Sequence, residues 1–193
     1  MQSKQVLVQY IGITLCILVS GCLFPKSTSQ QFFPNPAVAF QIQKDSLSEK
    51  TILQINPYGE IVIPGEWDSI HYLPSLHQHF FMNEDSTYVG IAKNPINRYP
   101  FFEVNQTPKQ FLVEYFKWDV LYWQGRGLET RVYRNRSDSG YVVWMARDTS
   151  TLDLSVLLYG IKDKYAYHLS MASSKLTDDQ MADFLVEIYK SND

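Results

Sequence analysis

The chain carries one helix-start signal twice, and this signal marks where its two main helices begin. TPKQ at 107–110 and TDDQ at 177–180 each place a threonine three residues ahead of a glutamine, which is the arrangement of a capping box. Proline after the first threonine and two aspartates after the second favour the first turn of a helix. Residues recur at helical spacing after both signals: Phe111, Tyr115, Trp118 and Tyr122, ahead of a stop at Gly125, and Met181, Phe184, Leu185, Ile188 and Tyr189.

Much of the remaining chain alternates short apolar or β-branched runs with turn residues. These runs predict nine strands, at 38–43, 52–56, 60–64, 77–83, 87–93, 128–133, 141–147, 152–159 and 165–170. YGE at 58–60, NED at 83–85 and IKDK at 161–164 supply turn chemistry between neighbouring runs, and short turns of this kind join antiparallel strands. The order of strands, helix, strands and helix predicts an α+β domain, residues 37–193, with two helices packed on an antiparallel sheet.

The net charge of the chain bears on whether nucleic acid could be a partner. The formal net charge is −3 and becomes more negative if Lys4 is removed with the N-terminus. A nucleic-acid-binding protein normally carries an excess of positive charge. Nucleic acid is therefore not expected as a partner.

The first 21 residues form a separate feature that is typical of a secretory signal peptide. Lys4 precedes an apolar stretch at 6–19, and the small residues Ser20 and Gly21 follow. LVSGC at 18–22 resembles the lipobox of bacterial lipoproteins, which implies cleavage before Cys22 and acylation of that cysteine. An uncleaved membrane anchor is the alternative, because residues 6–24 approach the ~20 residues that span a bilayer.

The lipoprotein resemblance has further implications for the mature chain. Residues 22–36 would hold the lipidated cysteine and a tether rich in Ser, Gln and Pro. Cys16 would be discarded, so no intrachain disulfide could form. Each acyl methylene contributes ~0.8 kcal/mol on insertion, which makes anchoring by several chains stable. Leu23 after the cysteine, in place of Asp, implies the outer membrane, with the domain facing the periplasm.

Two segments of the domain resemble a known family. YGEIVIPGEW at 58–67 is similar to the opening of PsbP-like domains, and the hairpin and capped helix at 157–189 are similar to their last third. Bacterial lipoproteins of the DcrB type share that fold. The resemblance implies an α/β/α sandwich used mainly to bind other proteins, with no shared catalytic residues and no cofactor.

Three of the four histidines fall in nine positions, which raises the hypothesis of a metal site. His77 and His79 alternate along a predicted strand and should share one face, as two zinc ligands would. A catalytic zinc needs three protein ligands, and His71 is the nearest further histidine. The alternative is that His77 and His79 lie on the solvated face of the sheet, opposite Leu76, Gln78 and Phe80.

A basic cluster interleaved with Tyr133, Tyr141 and Trp144 raises a second hypothesis. Its members are Arg126, Arg131, Arg134, Arg136 and Arg147. Guanidinium groups beside aromatic rings can hold an anion or a sugar-like polymer. The favoured interpretation is that these charges line exposed strand faces beside acidic residues such as Glu129, Asp138 and Asp148.

The sequence offers little for nucleophilic catalysis. It lacks a Gly-x-Ser-x-Gly elbow and a phosphate-binding glycine loop. Ser170 and Ser173 lie near His168 in sequence, but a triad requires its members to meet in space. Trp118, Tyr122 and Trp123 could stack on a ligand, although their spacing favours a core stripe.

Together these observations predict a membrane-anchored lipoprotein of the bacterial cell envelope. Its domain is expected to be a non-enzymatic binding or accessory module, without a cofactor, that contacts another protein. One alternative is a metal-dependent hydrolase using the region of His71, His77 and His79. Another is an immunity or inhibitor lipoprotein that captures a toxin.

Overall fold

The computed structural model describes residues 38–151 and 153–192, which belong to one compact unit, Pro36–Asp193. The predicted signal peptide, Cys22 and the tether at 22–36 lie outside the described residues. Within the described ranges, no helix has the length and apolarity needed to cross a membrane.

The described residues form ten strands and two main helices. The strands are β1 (Ala39–Asp45), β2 (Lys50–Asn56), β3 (Gly59–Pro64), β4 (Asp68–Leu73), β5 (Gln78–Met82), β6 (Tyr88–Pro95), β7 (Glu129–Val132), β8 (Tyr141–Arg147), β9 (Leu154–Lys162) and β10 (Tyr165–Ala172). The helices are α1 (Pro108–Gly125) and α2 (Asp178–Ser191), and short 3₁₀ turns occupy Ile96–Arg98 and Arg134–Arg136. The predicted α+β class is confirmed.

The strands are arranged in two antiparallel sheets, where the sequence predicted one. The smaller sheet has the order β1-β2-β3, and the larger has the order β4-β5-β6-β10-β9-β8-β7. The pairing of β6 with β10 aligns Val89 with Met171 and Ala92 with His168. This long-range pairing places strands from before and after α1 side by side in the larger sheet.

Both predicted capping boxes are present. The Oγ1 of Thr107 accepts from the Gln110 amide at 3.3 Å, and the Oε1 of Gln110 accepts from the Thr107 amide at 2.8 Å. Thr177 and Gln180 repeat the exchange at 3.2 and 2.9 Å. Gly125 is the last residue of α1, as predicted.

One strand, β4, was missed by the sequence analysis. It lies at the edge of the larger sheet, and its first four residues are exposed. Its pairing with β5 also shifts register between Ser69 and His71. An edge strand with irregular pairing and little burial carries no alternating apolar pattern. The sequence of β4 therefore did not predict a strand.

Two hydrophobic cores lie on the two faces of the larger sheet. One joins this sheet to the smaller sheet and α2, and its fully buried members include Leu53, Phe81 and Leu185. The other lies beneath α1 and includes Phe111 and Trp144. Burying a large apolar side chain contributes about 1.5–3 kcal/mol, so each face of the sheet is held by several such contacts.

Candidate functional site

The C-terminal half of α1 leaves large apolar side chains in solvent. Trp118, Leu121 and Tyr122 are 45%, 67% and 54% exposed. Together with Val113, which is also exposed, these residues are called the α1 surface below. Isolated exposed apolar residues are ordinary, but a group of them on one element indicates an interaction site.

The position of α1 over the sheet explains this exposure. Phe111, Leu112 and Tyr115 in the first half of the helix are buried against the larger sheet. Asp119 is the last buried residue of α1. The predicted core stripe is therefore confirmed for Phe111 and Tyr115 and wrong for Trp118 and Tyr122.

Contacts within the structure hold the exposed rings in place. The Trp118 ring lies 5.8 Å from Phe101 and 6.5 Å from Tyr115, centroid to centroid. The Tyr122 ring packs edge-on against Trp123 at 5.7 Å, and its hydroxyl accepts from Arg126 at 3.1 Å. Rings with restricted rotation lose less entropy when a partner covers them.

A buried polar contact fixes this half of α1 to the sheet. The carboxylate of Asp119 accepts hydrogen bonds from the Tyr159 hydroxyl and, at 2.8 Å, from the Trp123 indole. Burial and the Asp119 carboxylate raise the pKa of the Tyr159 phenol well above its ordinary value. Tyr159 therefore stays protonated and remains a donor, which keeps the α1 surface in a constant position.

The structure corrects the prediction that His77 and His79 alternate on a strand. β5 begins at Gln78, and His77 precedes it with a φ of 48°. His79 is only 4% exposed, against the rings of Phe40 at 4.3 Å and Tyr72 at 4.5 Å. The expected solvated face is therefore wrong for His79, whose pKa burial lowers to about 4.

The three predicted metal-ligand candidates do not converge. The ring of His71 stacks on Phe80 at 6.2 Å, on the sheet face opposite His79, because Phe80 and His79 are adjacent in β5. His77 is engaged by Arg98, whose guanidinium donates to its Nε2 at 2.7 Å. In the part of the chain that the structure describes, no three His, Cys, Asp or Glu residues are grouped to hold a metal ion.

Two members of the arginine cluster, Arg136 and Arg131, are engaged by carboxylates of the domain. Arg136 pairs with Asp179 at 3.1 Å and Asp183 at 2.7 Å, and Arg131 pairs with Asp178 at 3.3 Å. These carboxylates belong to α2, and they differ from the predicted acidic neighbours Glu129, Asp138 and Asp148. The interleaved Tyr133, Tyr141 and Trp144 are buried, so they offer no stacking surface for a sugar.

The serines near His168 are engaged elsewhere. The Oγ of Ser170 accepts from Gln78 at 3.4 Å, and Ser173 shares a hydrogen bond with Thr87 at 2.8 Å. The His168 ring instead packs edge-on against Tyr159 at 4.8 Å. These contacts do not form a nucleophile and base pair.

Comparison with protein families and with curated proteins identified no relative of this chain. No protein-family model matches the chain, and no curated protein matches it. The fold and the α1 surface define an α+β protein in which, among the described residues, the most exposed tryptophan and tyrosine side chains lie on one helix.

Proposed function

We propose that this protein is a lipid-anchored lipoprotein of the bacterial cell envelope that binds another protein through the α1 surface. The observation that carries the binding proposal is the shared exposure of Trp118, Leu121 and Tyr122 on a helix held by Asp119. Tryptophan and tyrosine dominate the energetic centres of protein interfaces.

The proposed anchor is supported by the sequence. LVSGC at 18–22 follows an apolar stretch and resembles a lipobox. We propose Cys22 as the lipid attachment site, residues 22–36 as a tether, and the periplasmic side of the outer membrane as the location, because Leu23 follows the cysteine.

The position of β1 supports a protein, and not the anchoring bilayer, as the occupant of the α1 surface. Val38 and Phe40 pack against the core shared with α2. That core lies on the face of the larger sheet opposite α1. The described chain therefore begins on the face of the larger sheet away from the α1 surface.

We further propose that the fold is PsbP-like. Helices on both faces of an antiparallel sheet support this assignment, although the smaller sheet shares one layer with α2. The resemblance implies protein binding without catalysis, in agreement with the role proposed for α1.

Lipid labelling tests the anchor. Replacing Cys22 with Ser should abolish incorporation of a labelled fatty acid and block cleavage, whereas Cys16→Ser should leave both unchanged. Equal labelling of the Cys22 variant would contradict the lipoprotein assignment.

Site-specific cross-linking tests the binding surface. A photoreactive amino acid in place of Leu121 should form one dominant protein adduct in intact cells, and Trp118→Ala with Tyr122→Ala should reduce its yield at least tenfold. The matched control replaces Leu47, a fully exposed leucine in the β1–β2 turn. The same adducts from both positions, or none from Leu121, would contradict the proposal.

A further inference from the structure

Arg98 is a half-buried arginine without an acidic partner. It ends the 3₁₀ turn that follows β6, and it forms no salt bridge with any described carboxylate. Its NH1 group is buried and makes no hydrogen bond with any described residue. Arginines removed from water are normally paired with an acid, so this charge is uncompensated within the described domain.

The hydrogen bonds of His77 and Tyr72 determine which groups beside Arg98 can still donate to a ligand. A guanidinium can only donate, so the Nε2 of His77 accepts from Arg98 at 2.7 Å. Burial and the Arg98 charge lower the pKa of His77, and the single proton of the neutral ring therefore lies on Nδ1. That nitrogen donates to the Tyr72 hydroxyl at 3.0 Å. The Tyr72 O–H remains available to a further acceptor.

These three residues, called the Arg98 site, adjoin the point where the chain enters the domain. Phe40, the second residue of β1, lies 4.9 Å from Tyr72, ring to ring. Val38 follows Cys22 by sixteen positions, a span of at most ~55 Å when extended. The β4–β5 turn beside the site also exposes Pro74 and Leu76. A domain tethered at Cys22 can therefore bring this corner to the membrane surface.

We propose that the Arg98 site binds the phosphate of a phospholipid headgroup in the membrane that holds the lipid anchor. The inference rests on the anchor of the proposed function. Arg98 turns from His77 toward the phosphate and donates two N–H groups, which suit the geometry of paired oxygens. Tyr72 donates a third hydrogen bond, and Leu76 enters the interfacial region. The movement also releases NH1 from its unsatisfied buried position, which favours it.

Imidazole signals of His77 report occupancy of the Arg98 site directly, because phosphate binding breaks its bond to Arg98. The test uses the full chain in a maltoside detergent, which contains no phosphate. Phosphatidylglycerol should shift the His77 signals in the wild type and in Arg134→Gln. Arg134 is the matched control because it is exposed and forms no described salt bridge. Arg98→Gln should lower the apparent affinity at least tenfold, and Tyr72→Phe should lower it severalfold.

The possible results distinguish lipid phosphate from inorganic phosphate as the ligand. They also distinguish failure of the Arg98 site from failure of the proposed lipid anchor. An unchanged His77 signal with phosphatidylglycerol, or an equal response in Arg98→Gln, would overturn the inference. A response to inorganic phosphate without one to the lipid would also overturn it. The detergent experiment does not depend on acylation. If the wild-type chain responds normally but proves not to be acylated on Cys22, the response supports the Arg98 site and the missing acylation contradicts the proposed anchor. Arg98→Lys provides a second variant that keeps the charge, and its affinity should lie between those of wild type and Arg98→Gln.

Discussion

The hydroxyl of Tyr159 on β9 donates a hydrogen bond to the carboxylate of Asp119 on α1, and both side chains are buried. This bond joins the centre of the larger sheet to the helix that carries Trp118, Leu121 and Tyr122. It explains how a helix with two of its six aromatic residues exposed to solvent keeps a defined position.

Removing the Tyr159 hydroxyl should destabilise the domain. Tyr159→Phe leaves Asp119 with Trp123 as its remaining described side-chain donor, and loss of a partner to a buried polar group costs about 1–3 kcal/mol. Denaturant unfolding measures the change. Tyr58→Phe is the matched control, because the Tyr58 hydroxyl is buried and has no hydrogen-bond partner among the residues that the structure describes, so its loss should cost nothing. Equal losses in both variants would show that the Asp119 bond contributes little.

Gly160 should not tolerate a side chain. A Cβ at this position would lie 2.3 Å from the ring of Tyr189, which also donates its hydroxyl to the Ile161 carbonyl at 2.9 Å. Gly160→Ala must displace α2 or strain the sheet, so we expect a loss of about 1–3 kcal/mol. Gly125→Ala is the control, because no atom of the described ranges lies within 4 Å of its Cβ position and alanine favours the helix by about 0.5–1 kcal/mol. Thermal unfolding of the two variants should shift in opposite directions.

Thr177 should contribute to stability through the cap of α2. Its hydroxyl accepts from the Gln180 amide at 3.2 Å, and replacing an N-cap threonine with alanine typically costs ~1 kcal/mol. Thr177→Ala should lower the free energy of unfolding by that amount. Ser46→Ala, at an exposed turn position, should change it little. A change within experimental error for Thr177→Ala would indicate that the cap does not stabilise the helix.

Stability should fall as the pH drops from 6.5 toward 4. Burial lowers the pKa of His79 and of His168 to about 4, from an ordinary 6.5. In that interval the unfolded chain binds protons that the folded protein excludes, so stability is fully present above pH 6.5 and decreases below it. Each histidine adds a slope of at most ~1.4 kcal/mol per pH unit.

His79→Phe should reduce this pH dependence, because phenylalanine does not titrate and suits the aromatic surroundings of Phe40 and Tyr72. The exposed Leu76 supplies the control, and Leu76→Phe, which removes no titrating group, should retain the wild-type slope. Denaturant midpoints between pH 4 and 7 provide the measurement. A wild-type slope in His79→Phe would mean that His79 binds its proton equally well in the folded and unfolded chains, which would contradict the lowered pKa.

The elements predicted best were those with local signals. Thr107 and Thr177 begin helices because the threonine, the glutamine and the first-turn amides that make each cap lie within four residues. The nine predicted strands are all present, with ends that differ by a few residues at most. β4 lacked such a signal, because an exposed edge strand needs neither alternation nor strong propensity.

The candidate functional sites could not be predicted from sequence spacing, because they depend on contacts between residues that are far apart in the chain. Helical spacing placed Trp118 and Tyr122 with Phe111 and Tyr115, but the position of the helix over the sheet left the second pair in solvent. The pairing of His77 with Arg98 joins residues 21 positions apart, and that of Arg136 with Asp183 joins residues 47 positions apart.

By itself, the sequence determined the helix starts, most strands and the α+β class, because capping, alternation and turn chemistry act over a few neighbouring residues. The tertiary structure alone decided that the strands divide into two sheets, that His79 is buried and that the α1 surface is exposed. Those outcomes depend on which distant strands pair and how far each layer extends, and the free energies involved arise only when the layers pack together.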